Sequence, residues 1–292
     1  MPNIILITNP KSGNGSSIKA AHLAQQALAS KRINVHIVYT EYPGHASSLA
    51  KSLLNDFDII VAIGGDTTVN EVAQALVGTD KIFGIIPCGS RNRLAEHFGI
   101  PVRLKKAIKI IYHQKVIHIN APLINDQYFF CNAGIGFDTL INNNSLMQFN
   151  SRTLKNYFKV KFMGLQNQVQ NEYTIHINGQ KITSKAFSIS VDKEAQSYPM
   201  DFDTTSKKLN ERLRKAKISA QPSLHNFINF DVQILKENNV SKEINLKSND
   251  FVVNSTTQKS QILGHKDGEH KKWSTPLNFK IRKEDHLNVI ID

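Results

Sequence analysis

Residues 58–71 read DIIVAIGGDTTVNE, an apolar run that ends in two glycines, an acid and a helix-like segment. An uninterrupted apolar run of this length is typical of a strand buried in a parallel sheet. Glycines after such a strand let backbone N–H groups converge on an anion. Asp66 in that place can hold a metal bound to phosphates, or orient an accepting hydroxyl. This stretch therefore predicts a phosphate-handling loop at the end of a central strand.

Strand and helix signals alternate on both sides of this stretch, through the first hundred residues. The predicted strands cover residues 3–9, 35–40, 58–63 and 82–87, and the predicted helices cover residues 17–31, 46–54, 69–77 and 94–98. The alternation predicts a parallel sheet with helices on both faces, and ligands in such sheets sit beyond the carboxyl ends of the strands. The glycine-containing loops all follow strands, as this arrangement requires.

Two further loops of this kind are NPKSGNGS at residues 9–16 and PCGSRNR at residues 87–93. The first is not a Walker loop, which would need Gly-Lys-Ser/Thr after four intervening residues. Ser90 in the other loop is predicted to cap the helix that follows it. Within the central stretch, Thr68 and Glu71 fit a capping box, which explains those two residues without a function.

After about residue 122 the pattern changes to strand-like runs. They lie at residues 127–137, 172–183, 186–191, 227–235, 244–253 and 277–281. Asn178-Gly179 between two alternating segments is a strong hairpin signal. We therefore expect an α/β domain at residues 1–121, which residues 283–292 could complete, and a β-rich antiparallel sandwich at residues 122–282.

The composition limits which cellular compartment and which classes of partner are expected. No apolar run reaches the length of a membrane span, and the N-terminus lacks the basic region of a signal peptide. With only Cys88 and Cys131, a cytoplasmic location is expected. The net charge of +12 suits polyanionic partners or solubility alone. Nucleic acid is not expected, since no aromatic platform interleaves the basic residues and Trp273 is solitary.

A basic amphipathic helix is predicted at residues 204–219, with lysines and arginines around a leucine stripe. Such helices can lie on an anionic membrane surface, or can be solvated helices that pack their leucines into a core. His265 and His270, which flank Asp-Gly-Glu at residues 267–269, are expected in an exposed loop. The sequence leaves a homodimer open.

The three glycine-containing loops, in this order and spacing, resemble the catalytic domain shared by diacylglycerol kinases, sphingosine kinases and bacterial soluble lipid kinases. The likeness extends to TEYPGHA at residues 40–46, FCNAGIGFD at residues 130–138 and DGE at residues 267–269. The resemblance implies an α/β nucleotide-binding domain like those of NAD kinases and phosphofructokinases, followed by a β-rich lipid-substrate domain.

By this resemblance, the expected reaction is ATP-dependent phosphorylation of a hydroxyl on diacylglycerol, sphingosine or a related lipid. Asp66 would serve the phosphates and Mg²⁺, and Glu269 would be the base that takes the proton of the lipid hydroxyl. These roles suffice because phosphoryl transfer needs mainly positioning and charge neutralisation. The residues implied to contact ATP are Asn9, Pro10, Lys11, Ser12, Gly13, Thr40, Gly64, Gly65, Asp66, Thr67, Thr68, Val69, Asn70 and Ser90.

The chain also departs from the family pattern. Thr67 replaces a glycine, Arg91 and Arg93 stand where the family has a glycine and an acid, and residues 224–227 lack the acid of a metal loop. These departures favour an alternative, a catalytically impaired relative that binds nucleotide or lipid. A small-molecule kinase of the NAD kinase type is a third hypothesis, against which the N-terminal loop and the Asp-Gly-Glu argue.

Overall fold

The computed structural model of the chain describes residues 2–136, 172–192, 230–236, 243–255, 261–267 and 269–292. The predictions for residues 204–219 and 224–227 lie outside these ranges. The described residues divide into two compact units. The first runs to Ala121 and includes Arg282–Asp292, and the second contains the described residues between Pro122 and Ile281.

The secondary structure follows the two-part pattern of the sequence. In chain order the strands are β1 (Asn3–Thr8), β2 (Asn34–Tyr39), β3 (Ile59–Gly64), β4 (Ile82–Pro87), β5 (Lys115–Asn120), β6 (Leu123–Ile124), β7 (Gln127–Tyr128), β8 (Asn132–Gly136), β9 (Glu172–Ile177), β10 (Gln180–Asp192), β11 (Phe230–Lys236), β12 (Glu243–Ser248), β13 (Asp250–Ser255), β14 (Gln261–Lys266), β15 (Glu269–Ser274), β16 (Leu277–Lys280) and β17 (His286–Ile291). The helices are α1 (Ser16–Ala29), α2 (His45–Ser52), α3 (Asp66–Leu76), α4 (Arg93–His97) and α5 (Leu104–His113), and the tight turn Ser12–Gly15 precedes α1.

A six-stranded sheet in the order β2-β1-β3-β4-β17-β5 forms the centre of the first unit. The strands from β2 to β17 in this order pair in parallel, and only β5 is antiparallel to its neighbour β17. Every residue of β3 is buried, as its unbroken apolar sequence predicts. The α/β prediction is therefore confirmed.

The helices of the first unit pack in two groups. One group joins α1 and α5, and the other joins α2, α3 and α4. Helix α5 turns Ala107, Ile110 and Ile111 inward, the spacing of an amphipathic helix. It approaches β4 closely at Gly84, where a Cβ would lie 2.5 Å from the Cδ1 of Ile111. A side chain at that position would require the Ile111 side chain to shift.

The second unit is an antiparallel β structure of eleven strands among the described residues. Strands β9 and β10 form the predicted hairpin, and its turn residues Asn178 and Gly179 have φ angles of 51° and 73°, the left-handed values of the favoured tight turn. The hydrophobic core of the second unit includes Tyr173 and the stacked rings of Phe251 and Phe279, whose centroids lie 4.4 Å apart. The antiparallel β-rich prediction is confirmed.

Two details of this unit differ from the sequence-based prediction. The strand predicted at residues 244–253 is wrong, because the chain turns at Asn249 and forms β12 and β13 instead. The Ser248 hydroxyl donates to the Asp250 carbonyl across that turn, which gives the break a side-chain support. Strands β14 and β15, which surround the Asp-Gly-Glu, were not predicted. Within the described ranges, each helix is too short or too polar to cross a lipid bilayer.

Candidate functional site

The first two glycine-containing loops contact each other at the carboxyl edge of the first unit's sheet. The backbone N–H of Gly65 donates to the Ser12 hydroxyl at 3.3 Å. The Asn9 side-chain amide donates to the Thr68 hydroxyl at 3.2 Å, and the Asn9 N–H donates to the carbonyl of Ile63 at 3.0 Å. These bonds connect the end of β1 to the start of α3.

The loop between β1 and α1 takes a left-handed course at three successive residues. Gly13, Asn14 and Gly15 have φ angles of 58°, 53° and 87°. At Gly13 a Cβ would lie 2.6 Å from the carbonyl oxygen of Cys88, so this position needs glycine for both backbone and space. The first loop therefore also lies against the third.

The second and third loops approach each other still more closely. A Cβ on Gly89 would lie 2.6 Å from the Cα of Gly65. The Cys88 N–H donates to the Gly64 carbonyl at 2.8 Å. The Asn92 side chain accepts from the N–H of Gly89 and donates to its carbonyl, both at 2.7 Å. The role of Asn92 was not predicted from the sequence, and its left-handed φ of 53° suits asparagine.

Replacing Gly89 with alanine should therefore destabilise the first unit by about 1–3 kcal/mol, because backbone must move to make room. Gly65→Ala is the matched control, since a Cβ there would meet the Gly89 Cα at 3.4 Å and the φ of −88° suits any residue. Urea unfolding of both variants measures the difference. Equal stability of the two variants would contradict the close approach.

Asp66 is the first residue of α3 and also stabilises the start of α4. Its Oδ1 accepts the backbone N–H of Arg93 at 2.6 Å, and Arg93 begins α4. The prediction that Ser90 caps this helix is therefore wrong. Ser90 is exposed and lies three residues before Arg93, and a carboxylate from the neighbouring loop takes the capping place.

The predicted capping box at Thr68 and Glu71 is also wrong, because α3 begins at Asp66 and places Thr68 inside its first turn. The Glu71 carboxylate instead accepts the N–H groups of Gly44 and Ala46, at 2.9 and 3.2 Å. These residues lie at the start of α2. Glu71 therefore stabilises the N-terminus of a neighbouring helix.

The other residues expected to contact ATP differ in their exposure. Thr67 is exposed in the first turn of α3, whereas Val69 and Asn70 are buried on the inner side of that helix. Thr40 follows β2 and donates its N–H to the Thr8 carbonyl at 2.9 Å. Pro10 is half-buried, and Lys11 is exposed with its N–H bonded to the Asn9 side chain. Val69 thus packs α3 against the unit, whereas the buried Oδ1 of Asn70 has no hydrogen-bond partner among the described residues.

In the second unit, Asp267 anchors the Asp-Gly-Glu hairpin that joins β14 to β15. Its carboxylate accepts the backbone N–H groups of Phe130 and Cys131, the latter at 2.7 Å. Its own N–H donates to the Asn132 carbonyl at 2.8 Å. Its φ of 49° is a left-handed value that Asp tolerates better than most residues. The hairpin is therefore held against the start of β8.

Burial dominates the electrostatics of this anchor. Desolvation raises the pKa of Asp267 to about 6, although its backbone hydrogen bonds and the Lys266 charge act in the opposite direction. Burial lowers the pKa of Lys266, whose ammonium donates to the Tyr128 carbonyl at 3.1 Å. Burial also raises the pKa of the Cys88 thiol, which argues against a nucleophilic thiolate in the third loop.

Glu269, in contrast to Asp267, is an exposed residue at the start of β15. It pairs in register with Lys266 across the hairpin. The expectation of an exposed His265 is wrong, because this residue lies within β14 with 0% of its surface exposed. The hairpin strands extend right up to the turn, which places His265 inside the fold.

Asp267→Asn should change how stability depends on pH. A carboxyl with a pKa near 6 in the folded protein and 3.8 in the unfolded chain keeps its proton up to a higher pH in the folded protein. The free energy of unfolding therefore falls by about 3 kcal/mol as pH rises from about 4 to about 6. The variant should lack this decrease. Urea unfolding across that pH range tests this prediction, with Asp126→Asn at an exposed acid as the control. A difference in free energy of unfolding between wild type and Asp267→Asn that does not change with pH would contradict it.

The structure thus brings together the predicted loop residues of the first unit, and places Glu269 on an anchored hairpin of the second. Across the described ranges, no three His, Cys, Asp or Glu side chains lie close enough together to hold a metal ion. Among the described residues of its unit, Asp66 accepts a hydrogen bond through one carboxylate oxygen, from the Arg93 N–H. Mg²⁺ is commonly held by one or two carboxylates together with substrate phosphates, so this donor fits such an ion.

Comparison with known proteins finds similarity to diacylglycerol kinases and to proteins named as lipid kinases. Residues 3–122 match the family model described as the diacylglycerol kinase catalytic domain, which confirms the resemblance seen in the sequence. A diacylglycerol kinase of Mycobacterium tuberculosis is 34% identical over 146 residues, which cover 48% of this chain and 47% of that protein. A Klebsiella pneumoniae protein named "Probable lipid kinase YegS-like" is 33% identical over 138 residues, 46% of each chain. The chain spans about half the length of the curated relatives it matches.

Solved structures extend the likeness in fold to the whole chain. A crystal structure of a diacylglycerol kinase from Bacillus anthracis superposes with a TM-score of 0.67. The match covers 100% of this chain and 97% of that one, at 16% sequence identity. At this identity the likeness concerns the fold alone.

Proposed function

Because residues 3–122 match the diacylglycerol kinase catalytic domain, we propose that this chain is an ATP-dependent lipid kinase. Its acceptor would be a hydroxyl of a diacylglycerol, a sphingosine or a related lipid. The observation that supports this best is the direct contact of three glycine-containing loops, with Gly89 against Gly65 and Gly13 against Cys88. Parallel sheets bind their ligands at this edge.

These loops are suited to a polyphosphate. Helices α1 and α3 begin directly at the first and second loops, with Gly15 and Gly65 as their N-cap residues. The first N–H groups of a helix have no partner within it, and the helix dipole places positive charge there. Two such ends beside a left-handed glycine turn would supply N–H donors of the kind that bind phosphate.

Asp66 would hold the magnesium ion that accompanies ATP, through the carboxylate oxygen not bonded to Arg93. When bound, the ion neutralises phosphate charge. The Arg93 N–H keeps the carboxylate at the end of β3, so Asp66 needs little reorganisation. This is the only metal contact that the proposal assigns.

Glu269 would act as the general base. Its carboxylate would take the proton of the lipid hydroxyl as that oxygen forms a bond to the γ-phosphorus and ADP leaves. Asp267 supports this role by holding the hairpin through the Phe130 and Cys131 amides, which positions the residue two places later. A base fixed on a short hairpin loses little conformational freedom when the substrate arrives.

The direct test incubates the protein with labelled ATP, Mg²⁺ and a panel of lipids that includes diacylglycerol and sphingosine. Transfer of label to one lipid class is expected. A folded protein that transfers label to none would contradict the proposal.

The second candidate is a relative that binds nucleotide or lipid without turnover. The cations at Arg91 and Arg93, in place of the family's glycine and acid, favour it. Nucleotide binding in calorimetry, combined with the absence of transfer to every lipid, would establish this alternative.

Thr67→Gly, which restores the family's motif, should change turnover by less than about threefold. Thr67 lies in α3 and outside the left-handed region, so its backbone has no need of glycine. Glycine there should cost less than about 1 kcal/mol of stability. Steady-state kinetics and urea unfolding measure both effects. A large gain in turnover would show that the Thr67 side chain obstructs the phosphates.

A further inference from the structure

Helices α1 and α5 lie side by side in the first unit, and their outer surfaces form one continuous face. The Lys31 ammonium, just after α1, lies 5.8 Å from the centre of the Tyr112 ring near the end of α5. Both helices bury small and aliphatic residues against the sheet. We call their combined outer surface the α1–α5 face.

This face is strongly and uniformly basic. The chain contains no acidic residue from Asn9 to Thr40, or from His97 to Asn125. In the described part of the chain, none of the exposed cations of the face forms an ion pair with a carboxylate. These cations are Lys19, Lys31, Arg32, Arg103, Lys105, Lys106 and Lys109. Much of the chain's excess positive charge is therefore concentrated here.

Exposed apolar groups lie among these cations. Leu23 and Tyr112 are each 42% exposed, and Val102, just before α5, is 64% exposed. Lys105 and Lys109 precede Tyr112 by seven and three residues, which places all three on one stripe of α5. A single exposed apolar residue is ordinary, but here such residues lie on adjacent helices among cations that form no ion pair with a described carboxylate.

We propose that the α1–α5 face docks the protein on a bilayer that contains anionic phospholipids. Lysine stems extend along an apolar surface while their ammonium groups reach lipid phosphates. Tyrosine suits the headgroup region, because its ring is apolar and its hydroxyl is polar. The other group of helices carries the acids Asp66, Glu71 and Glu96, so the α1–α5 face complements a negative surface better than that group does.

A nucleic acid would be the other polyanion to consider, and the face fits it less well. Tyr112 is the one tyrosine of these two helices, which contain no phenylalanine or tryptophan. Single-strand binders use several aromatic rings as stacking platforms. The aliphatic exposure of Leu23 and Val102 matches acyl chains better than bases.

Sedimentation with vesicles tests the proposal without ATP, so that no phosphoryl transfer takes place. The test variant is Lys105→Glu/Lys109→Glu. The matched control is Lys51→Glu/Lys283→Glu, which makes the same charge change at exposed positions off this face. The vesicles are phosphatidylcholine alone, or phosphatidylcholine with phosphatidylglycerol. Failure of this docking would not affect the kinase proposal, since vesicle binding is measured here without phosphoryl transfer.

The wild type should bind the phosphatidylglycerol vesicles, and less strongly as salt screens the charges. Each basic residue near an anionic surface contributes about fivefold, so the test variant should bind at least about tenfold more weakly. The control should stay within about twofold of wild type. Tyr112→Ala should weaken binding without altering net charge. Excess soluble glycerol phosphate should not compete, because a surface potential and not one headgroup is recognised.

Several results would overturn this docking surface. Wild-type binding retained by the test variant would place the contact elsewhere on the chain. Binding to RNA without binding to vesicles would identify a nucleic-acid surface, and competition by glycerol phosphate would identify a phosphate site. Urea unfolding of each variant tests whether it is folded. If Lys105→Glu/Lys109→Glu is unfolded, Lys105→Gln/Lys109→Gln replaces it and should also weaken vesicle binding.

Discussion

Asp66→Asn should lower kcat for lipid phosphorylation by about a thousandfold, the usual scale for losing one preorganised charged group in a catalytic site. Asparagine keeps an oxygen that can accept the Arg93 N–H, the bond that Asp66 makes at 2.6 Å. The change therefore removes negative charge while α4 stays in place. Steady-state kinetics with saturating ATP and Mg²⁺ measures the loss.

Asp66→Ala provides the comparison, because it removes the hydrogen bond along with the charge. It should lose a similar factor in kcat and about 1 kcal/mol of stability, the usual cost of losing a helix cap. Asp56→Asn, an exposed acid of the same unit, should leave both quantities unchanged. Wild-type turnover by Asp66→Asn would exclude the metal-binding role.

Glu269→Gln should lower kcat by about 10²–10⁴-fold, the range that a general base contributes. Because Glu269 is exposed at the start of β15, the isosteric amide should leave the fold intact. The loops proposed to bind ATP belong to the first unit, so calorimetric affinity for a non-hydrolysable ATP analogue should stay within about twofold. Asp126→Asn, an exposed acid of the second unit, is the matched control.

Loss of nucleotide affinity together with turnover in Glu269→Gln would contradict this assignment, because a base acts on the hydroxyl and not on ATP. Full turnover by the variant would assign the proton transfer to another group. Glu269→Asp keeps a carboxylate on a side chain shorter by one methylene. If its turnover lies between that of wild type and that of Glu269→Gln, the position of the carboxylate matters as well as its charge.

Where the structure departs from the sequence-based predictions, a partner distant in the chain has usually replaced a local one. Thr68 and Glu71 fit a capping box, yet Glu71 bonds to the N-terminus of α2, 27 residues earlier. Ser90 has a capping residue's place in the loop, yet the Asp66 carboxylate takes that role from another loop. Which side chain caps a helix cannot be predicted from neighbouring residues alone, because it depends on which helix ends come together in the fold.

Amino-acid order alone was enough for the strand–helix alternation of β1–β4, for the three glycine-containing loops and for the Asn178-Gly179 hairpin. These features depend on residues a few places apart, through side-chain periodicity and the φ angles that glycine and asparagine allow. Tertiary structure decided the partner of each carboxylate. Asp267 accepts an N–H from Phe130, 137 residues away, because burying a carboxylate requires donors wherever the fold supplies them.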